Sequence, residues 1–346
     1  MNHHRWRRSL LVAGLGIGAT VVAVVLITQA TRNLALVSRL RDATPGWLVV
    51  CAIGEVAAYA GFVLSYQAMA RVADGPRLPA LVVIRVVGVS FGAFSLATAI
   101  GGLSVDFWAL HEAGEPTRVA SARVIALETL RWAVLSVATC LAGIAVLAGA
   151  GHNTGWVAPV AWLAVTLACF AGGLWVSASR RRAALAARPG RLGGLLGIAV
   201  TALVFIRRLM GEPRDLRRRA VGGSALFWAG ELLCAWAALR SFGVRVGVAP
   251  LLIGYATGYV ATGLPLPLGG AGSVDAALTG GFVLAGAPLG SALLAALTFR
   301  LFSFWLPAVG ALVAVATARG LPERLREIAR ARRPPELRVE ATEPRA

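Results

Sequence analysis

The 346 residues are 58% hydrophobic and only 14% charged, with a mean hydropathy of +0.73; an ordinary soluble domain carries about a quarter charged residues. Apolar runs fill nearly the whole chain, which excludes a soluble catalytic domain, because no remaining segment is long enough to bury a core of its own. The net charge is +18 and all 34 basic residues are Arg; flanking apolar runs instead of covering a folded face, this excess speaks to topology and anionic lipid headgroups and against nucleic acid.

In chain order, Arg5, Arg7 and Arg8 precede an apolar stretch, 9–30, that is too long for a signal peptide and reads as the first span. Further spans are predicted at 46–70, 79–100, 119–149, 156–179, 220–241, 247–268 and 289–318. A shorter run, 192–206, lies between basic clusters and reads as a helix on the membrane surface. Two segments, 101–116 and 269–286, are too short for ordinary spans and too apolar for solvated loops. The expected fold is an all-α, polytopic membrane helical bundle of about eight long spans plus two short broken or re-entrant segments. Residues 1–320 form a single transmembrane domain. Its halves, about 46–150 and 220–318, are joined by a basic cytoplasmic loop, 180–219, and followed by a basic cytoplasmic tail, 321–346.

The halves carry an internal repeat. The first has Gly101-Gly102 and Ser104-Val105-Asp106, and the second has Gly269-Gly270 and Ser273-Val274-Asp275. A Gly-x-Pro follows each, at Gly114 to Pro116 and Gly286 to Pro288, and an Arg follows each Asp by 25 residues, at Arg131 and Arg300. Upstream stand Gly54-Glu55 and Gly230-Glu231. Four features in the same order are hard to obtain by chance. Two arrangements are open. If each Ser-Val-Asp segment crosses the membrane as part of a broken helix pair, the repeats are inverted and the arginines of 180–219 fall on the same side as both termini, as the positive-inside rule requires. If the segments are re-entrant in parallel repeats, that loop breaks the rule.

Charges at membrane depth cost roughly 2.5–3.5 kcal/mol each on insertion scales and need partners or water. Arg131 and Arg300 are therefore candidates to hold an anionic group, since a guanidinium offers phosphate two parallel hydrogen bonds. Asp106 and Asp275 are placed near the starts of short helices, where a carboxylate caps freed N–H groups. Glu55 and Glu231 complete the substrate-binding set. The competing reading is a group of buried ion pairs that only fix helix register. Pro265 and Pro267 remove N–H donors next to Gly269-Gly270, so a helix must break there, and Gly101-Gly102 marks the matching break in the first half.

Cys51, Cys140, Cys169 and Cys234 stand singly in apolar runs and read as reduced packing residues. No metal site, cofactor motif or catalytic residue set is recognised. The oligomeric state stays open, a homo-oligomer included.

The Pro-x-Pro-x-Gly-Gly-x-Gly-x-x-Asp segment ending at Asp275, followed by Gly-x-Pro and the span with Arg300 and Trp305 to Pro307, resembles the transmembrane region of lysylphosphatidylglycerol synthases. The resemblance covers roughly residues 10–320. Glu is commoner in that family where Asp275 stands, and the same role is expected of either carboxylate. It implies a multi-pass protein of the bacterial inner membrane, related to the part of the multiple peptide resistance factor that moves aminoacylated phosphatidylglycerol between leaflets. It also implies that the aminoacyl-transfer domain of the complete synthases is missing from these residues, so synthesis of that lipid is not expected. The expected function is translocation of a polar lipid or lipid-linked precursor. The alternative is a membrane partner or enzyme in lipid modification or lipid-linked glycan synthesis.

Overall fold

The computed structural model describes residues 44–96, 99–150, 155–176, 190–263 and 272–332. The predicted first span 9–30 and the residues Pro265, Pro267, Gly269 and Gly270 lie outside the described residues. The helices are α1 (Gly46–Arg71), α2 (Ala80–Leu96), α3 (Ala99–Glu112), α4 (Thr117–Ala145), α5 (Val157–Val176) and α6 (Gly190–Gly211) in the first part. They continue with α7 (Arg214–Ser241), α8 (Val248–Tyr259), α9 (Ser273–Leu284), α10 (Leu289–Arg300), α11 (Leu306–Ala316) and α12 (Leu321–Arg332). Among the described residues there is no strand. The all-α bundle is as expected.

Among the described residues, five stretches are long and apolar enough to cross a bilayer: α1, Thr117–Ala150, α5, α7 and Leu289–Ala316. The eight long spans expected include 9–30, which lies outside the described residues. Of the others, α2 has 17 residues, about 25 Å at 1.5 Å per residue, against a hydrocarbon core of about 30 Å.

The centre of the bundle is the crossing of α1 and α7, helices in which small residues let two backbones touch. A Cβ built on Gly54 would lie 2.7 Å from the Gly230 carbonyl oxygen and 2.9 Å from the Cys234 nitrogen. One built on Gly223 would lie 2.7 Å from both the Gly61 oxygen and the Ser65 nitrogen. Later residues of α1 therefore meet earlier residues of α7, and the two helices are antiparallel. Their ends agree: Thr44 N donates to Ser241 O at 3.0 Å at one end, and Ala73 N donates to Glu212 Oε1 at 2.9 Å at the other.

Each half adds a helical hairpin, and the two enter from opposite ends. Helices α2 and α3 begin and finish at the 72–79 and 113–116 end, joined inside by the Ser90 hydroxyl donating to Gly102 O at 2.9 Å. Helices α8 and α9 begin and finish at the Ser241 end, where Gly254 packs on Gly281 and, deeper, Gly258 packs on Leu278. Across the halves the packing is reciprocal. The α2 glycines Gly88 and Gly92 face Ala314 and Ala311 of α11, while Ile253 of α8 packs with Ala142 of α4. Equivalent helices thus point in opposite directions, which is inverted repetition, not parallel.

The basic segments are ordered where they are described. Within 180–219, residues 190–211 form α6 and Arg214 already starts α7, so this segment is helix over its described part, not loop. Helix α6 buries Val200, Ala202, Phe205 and Leu209 along the N-terminal part of α4. In the segment 321–346, residues 321–332 form α12, whose Leu321 and Leu325 are fully buried in the cluster that holds Tyr66, Leu110 and Leu127. Arg240 and Arg245 stand at the Ser241 end, while Arg71, Arg77, the arginines of 214–219 and those of α12 stand at the opposite one.

Candidate functional site

Where the two hairpins and the α1–α7 crossing meet, the structure forms a partly open cavity of about 370 Å³. Arg131, Arg300, Asp106 and Glu231 line it, with Glu128 beside them, and Tyr59, Phe91, Phe94, Trp132 and Tyr259 supply much of the wall. Four of the six substrate-binding residues read from the sequence therefore share one space.

The second-half carboxylate holds a helix start. Asp275 is the third residue of α9 and accepts from Gly272 N at 2.9 Å through Oδ2. Gly272 has φ +84, a conformation a Cβ would strain. Through Oδ1 the same carboxylate meets Arg300 Nε at 3.1 Å, in a pair whose side chains are 13% and 6% exposed. Asp275 thus positions Arg300 from behind the cavity wall. The Arg300 guanidinium also lies over the Phe304 ring at 4.2 Å. Residues Leu301–Trp305 form a π-helical turn directly after it. Pro307 has no N–H to give the Ser303 carbonyl, so the regular ladder fails at this point.

The first half is arranged differently. Asp106 lies in the middle of α3 and caps nothing, contrary to the expectation that it would serve a helix start. Gly101 and Gly102 are helical, in the first turn of α3, so no break falls on them. Arg131 is not paired to Asp106 as Arg300 is to Asp275: its Nη1 donates to Glu128 Oε1 at 2.9 Å, one helical turn away. The Arg131 guanidinium lies over the rings of Phe62 and Phe227, at 4.5 and 4.2 Å. Trp228 Nε1 donates to its backbone oxygen at 2.7 Å. Buried Arg131 Nε and Asp106 Oδ1 have no hydrogen-bond partner among the described residues. Native folds pair nearly all such atoms, so these two point to a group the chain itself does not supply.

The glutamates flank the crossing. Glu231 accepts from the Tyr255 hydroxyl at 2.8 Å and reaches the cavity. Glu55 is buried next to Gly54 and is not part of the cavity lining; neither of its oxygens has a partner among the described residues.

A second network was not read from the sequence. Buried Arg123 meets Glu115 at 3.4 Å and donates to the Met69 and Val72 oxygens at 3.1 and 2.6 Å. Arg332 of α12 meets the same Glu115 at 2.9 Å and donates to Asp74 O at 2.9 Å, and Arg326 meets Glu112 at 2.8 Å. The partners lie up to 258 residues apart, so spacing gives no hint of them. A carboxylate in the Gly-x-Pro turn and an Arg about two turns into the next helix were the available signals.

Among the described residues no group of three or more His, Cys, Asp or Glu side chains is placed to hold a metal ion. The fold and this cavity define a multi-pass helical membrane protein with inverted repeats around a charged, aromatic-walled interior. The family described as the lysylphosphatidylglycerol synthase TM region matches residues 11–311, and the chain belongs to that family. It is accordingly a membrane protein of lipid modification or transport. A comparison with curated proteins finds no match.

Proposed function

We propose that this protein is a translocase that carries a polar lipid, with an anionic or aminoacylated headgroup or a lipid-linked precursor, between the leaflets of the bacterial inner membrane. The observation that carries the reading is the pair of guanidinium groups, Arg131 and Arg300, lining one cavity between hairpins that enter from opposite ends. Inverted repeats with interrupted helices suit alternating access, because one packing and its pseudo-two-fold-related counterpart expose the same site to either side. The aromatic walls accommodate acyl-chain and glycerol carbons, and the arginines offer a phosphate two-pronged hydrogen bonds. Anionic lipids are then the natural partners at the surface as well. The arginine distribution supports placing the α12 end, and both chain termini with it, in the cytoplasm.

The test is headgroup-labelled lipid exchange in liposomes reconstituted with wild type, Arg300→Ala and Arg131→Ala. Losing one charge-assisted phosphate contact, about 1.5–3 kcal/mol, slows exchange about 10- to 100-fold. Wild-type exchange no faster than empty liposomes for phosphatidylglycerol, its aminoacylated form and an undecaprenyl-linked lipid would overturn the reading.

A further inference from the structure

Of the two repeat-related aspartates, one is fully employed and the other is not. Asp275 holds both Gly272 N and Arg300. Asp106 is only 4% exposed, yet its Oδ1 has no partner, and the arginine matching Arg300 is held by Glu128. Asp106 also occupies a position Asp275 does not: it lines the central cavity and, as well, a second, far smaller one of about 10 Å³. That volume is about the least that holds a single water. The small cavity is shared by Tyr66, Arg123 and Leu110, and leads from Asp106 toward the Glu115–Arg123–Arg332 network at the arginine-rich end. The Tyr66 hydroxyl donates to the Asp106 backbone oxygen at 3.2 Å, so a hydroxyl stands on the same route.

We infer that Asp106 is a proton-binding site, reached from the arginine-rich end through the one-water cavity beside Tyr66 and Arg123, and that it couples lipid movement to the transmembrane proton gradient. This rests on the translocation reading above. A headgroup cannot enter a space of that size, whereas a water and the proton it relays can. The step moves one proton from a hydronium ion, whose O–H bond breaks, to the Asp106 carboxylate, where an O–H bond forms; after the conformational change that bond breaks and the proton passes to water in the central cavity. No electrons are exchanged. The groups that face Asp106 are consistent with a site of variable charge: Arg123, Glu128 and Arg131 from α4, Tyr66 from α1, Arg300 and Glu231 across the cavity, and the Ser90 hydroxyl from α2. With Asp106 ionised, its charge adds to those of Glu128 and Glu231 opposite the two arginines. With it protonated, the balance favours an incoming anion.

Two measurements test the inference separately from the function it builds on. Infrared difference spectra of the purified protein between neutral and acid pH are expected to show a carboxylic C=O band that Asp106→Asn removes and Asp275→Asn leaves in place. A band unchanged in Asp106→Asn overturns the proton site whether or not lipid moves. In proteoliposomes, an imposed gradient of about one pH unit can sustain up to about a tenfold lipid asymmetry for one-proton coupling. Wild type is expected to build an asymmetry that a protonophore collapses, while Asp106→Asn builds none under the same gradient. A gradient without effect on wild-type exchange, or a sodium gradient that replaces it, overturns the coupling and leaves translocation standing. Asp106→Asn abolishing gradient-free exchange makes Asp106 a headgroup ligand and also overturns it. The infrared band without any wild-type exchange removes the translocation reading and the coupling, while the proton site stands.

Discussion

Asp275 joins two jobs in one side chain, and that makes its removal informative. Its carboxylate closes the first turn of α9 and supplies a counter-ion to Arg300, inside a cluster where both side chains are largely buried. Taking one partner from a buried pair costs more than replacing both, because a desolvated charge then loses its compensation. Asp275→Ala is therefore expected to lower unfolding stability in detergent by about 3 kcal/mol. The double variant Asp275→Ala/Arg300→Met is expected to recover much of the loss, as read from thermal or denaturant unfolding. Equal destabilisation in single and double variants would mean that the cap, not the pair, dominates. Of the ionisable residues singled out by the repeat, Asp106, Arg131, Glu231 and Arg300 line one cavity. The sequence did not supply their pairing. A spacing of 25 residues is common to both halves, but Arg131 has a glutamate one turn back and takes it. The residue matching Glu128 in the second half is Leu297, which leaves Arg300 to Asp275.

Helices α1 and α7 owe their close approach to side chains that are absent. Between two helices in lipid there is no hydrophobic drive, so backbone contact through small residues carries the association. Gly54 and Gly230 meet at the crossing itself, each adjacent to its glutamate, and Gly61 and Gly223 meet two turns further along. A methyl at Gly230 would fall 2.6 Å from the Ala58 nitrogen, a rigid backbone atom that cannot turn aside. Gly230→Ala is expected to destabilise by about 1–3 kcal/mol through overpacking. Gly222→Ala, on the same helix with nothing within 4 Å, is expected to be neutral or stabilising by up to about 1 kcal/mol from helix propensity. Comparing their melting temperatures in one detergent checks both, and a Gly230→Ala protein as stable as Gly222→Ala would show that the crossing is loose. Helix boundaries were largely legible because apolar periodicity and the Gly-x-Pro turns mark them, and the short run at 192–206 proved to belong to a longer helix. The packing partners were not legible, since a glycine in an apolar run looks the same whether it faces lipid or another backbone.

For the molecule as a whole, antiparallel equivalent helices settle a matter that composition left balanced between inverted and parallel repeats. Both hairpins return to the end they came from, so each half adds two net crossings' worth of helix without moving the chain ends off their sides. That arrangement gathers the 72–79 turn, the Glu115 turn, Glu212 and α12 at one end, tied by Arg332 to Asp74 and Glu115. The opposite end keeps Thr44, Ser241 and Arg245. By the positive-inside rule, the arginine-rich end is expected on the cytoplasmic side. In a variant with Cys51, Cys140, Cys169 and Cys234 replaced, a cysteine introduced at Arg245 is therefore expected to react with an impermeant maleimide in intact spheroplasts. Cysteines introduced at Asp74 or Arg319 are expected to react only after the membrane is opened. Labelling of positions 74 and 245 from the same side would contradict inverted repetition itself, because these positions lie at opposite ends of α1 and α7. Labelling from opposite sides, but with 74 and 319 outside, would keep the fold and reverse only its orientation, and the proton route beside Arg123 would then open to the periplasmic side.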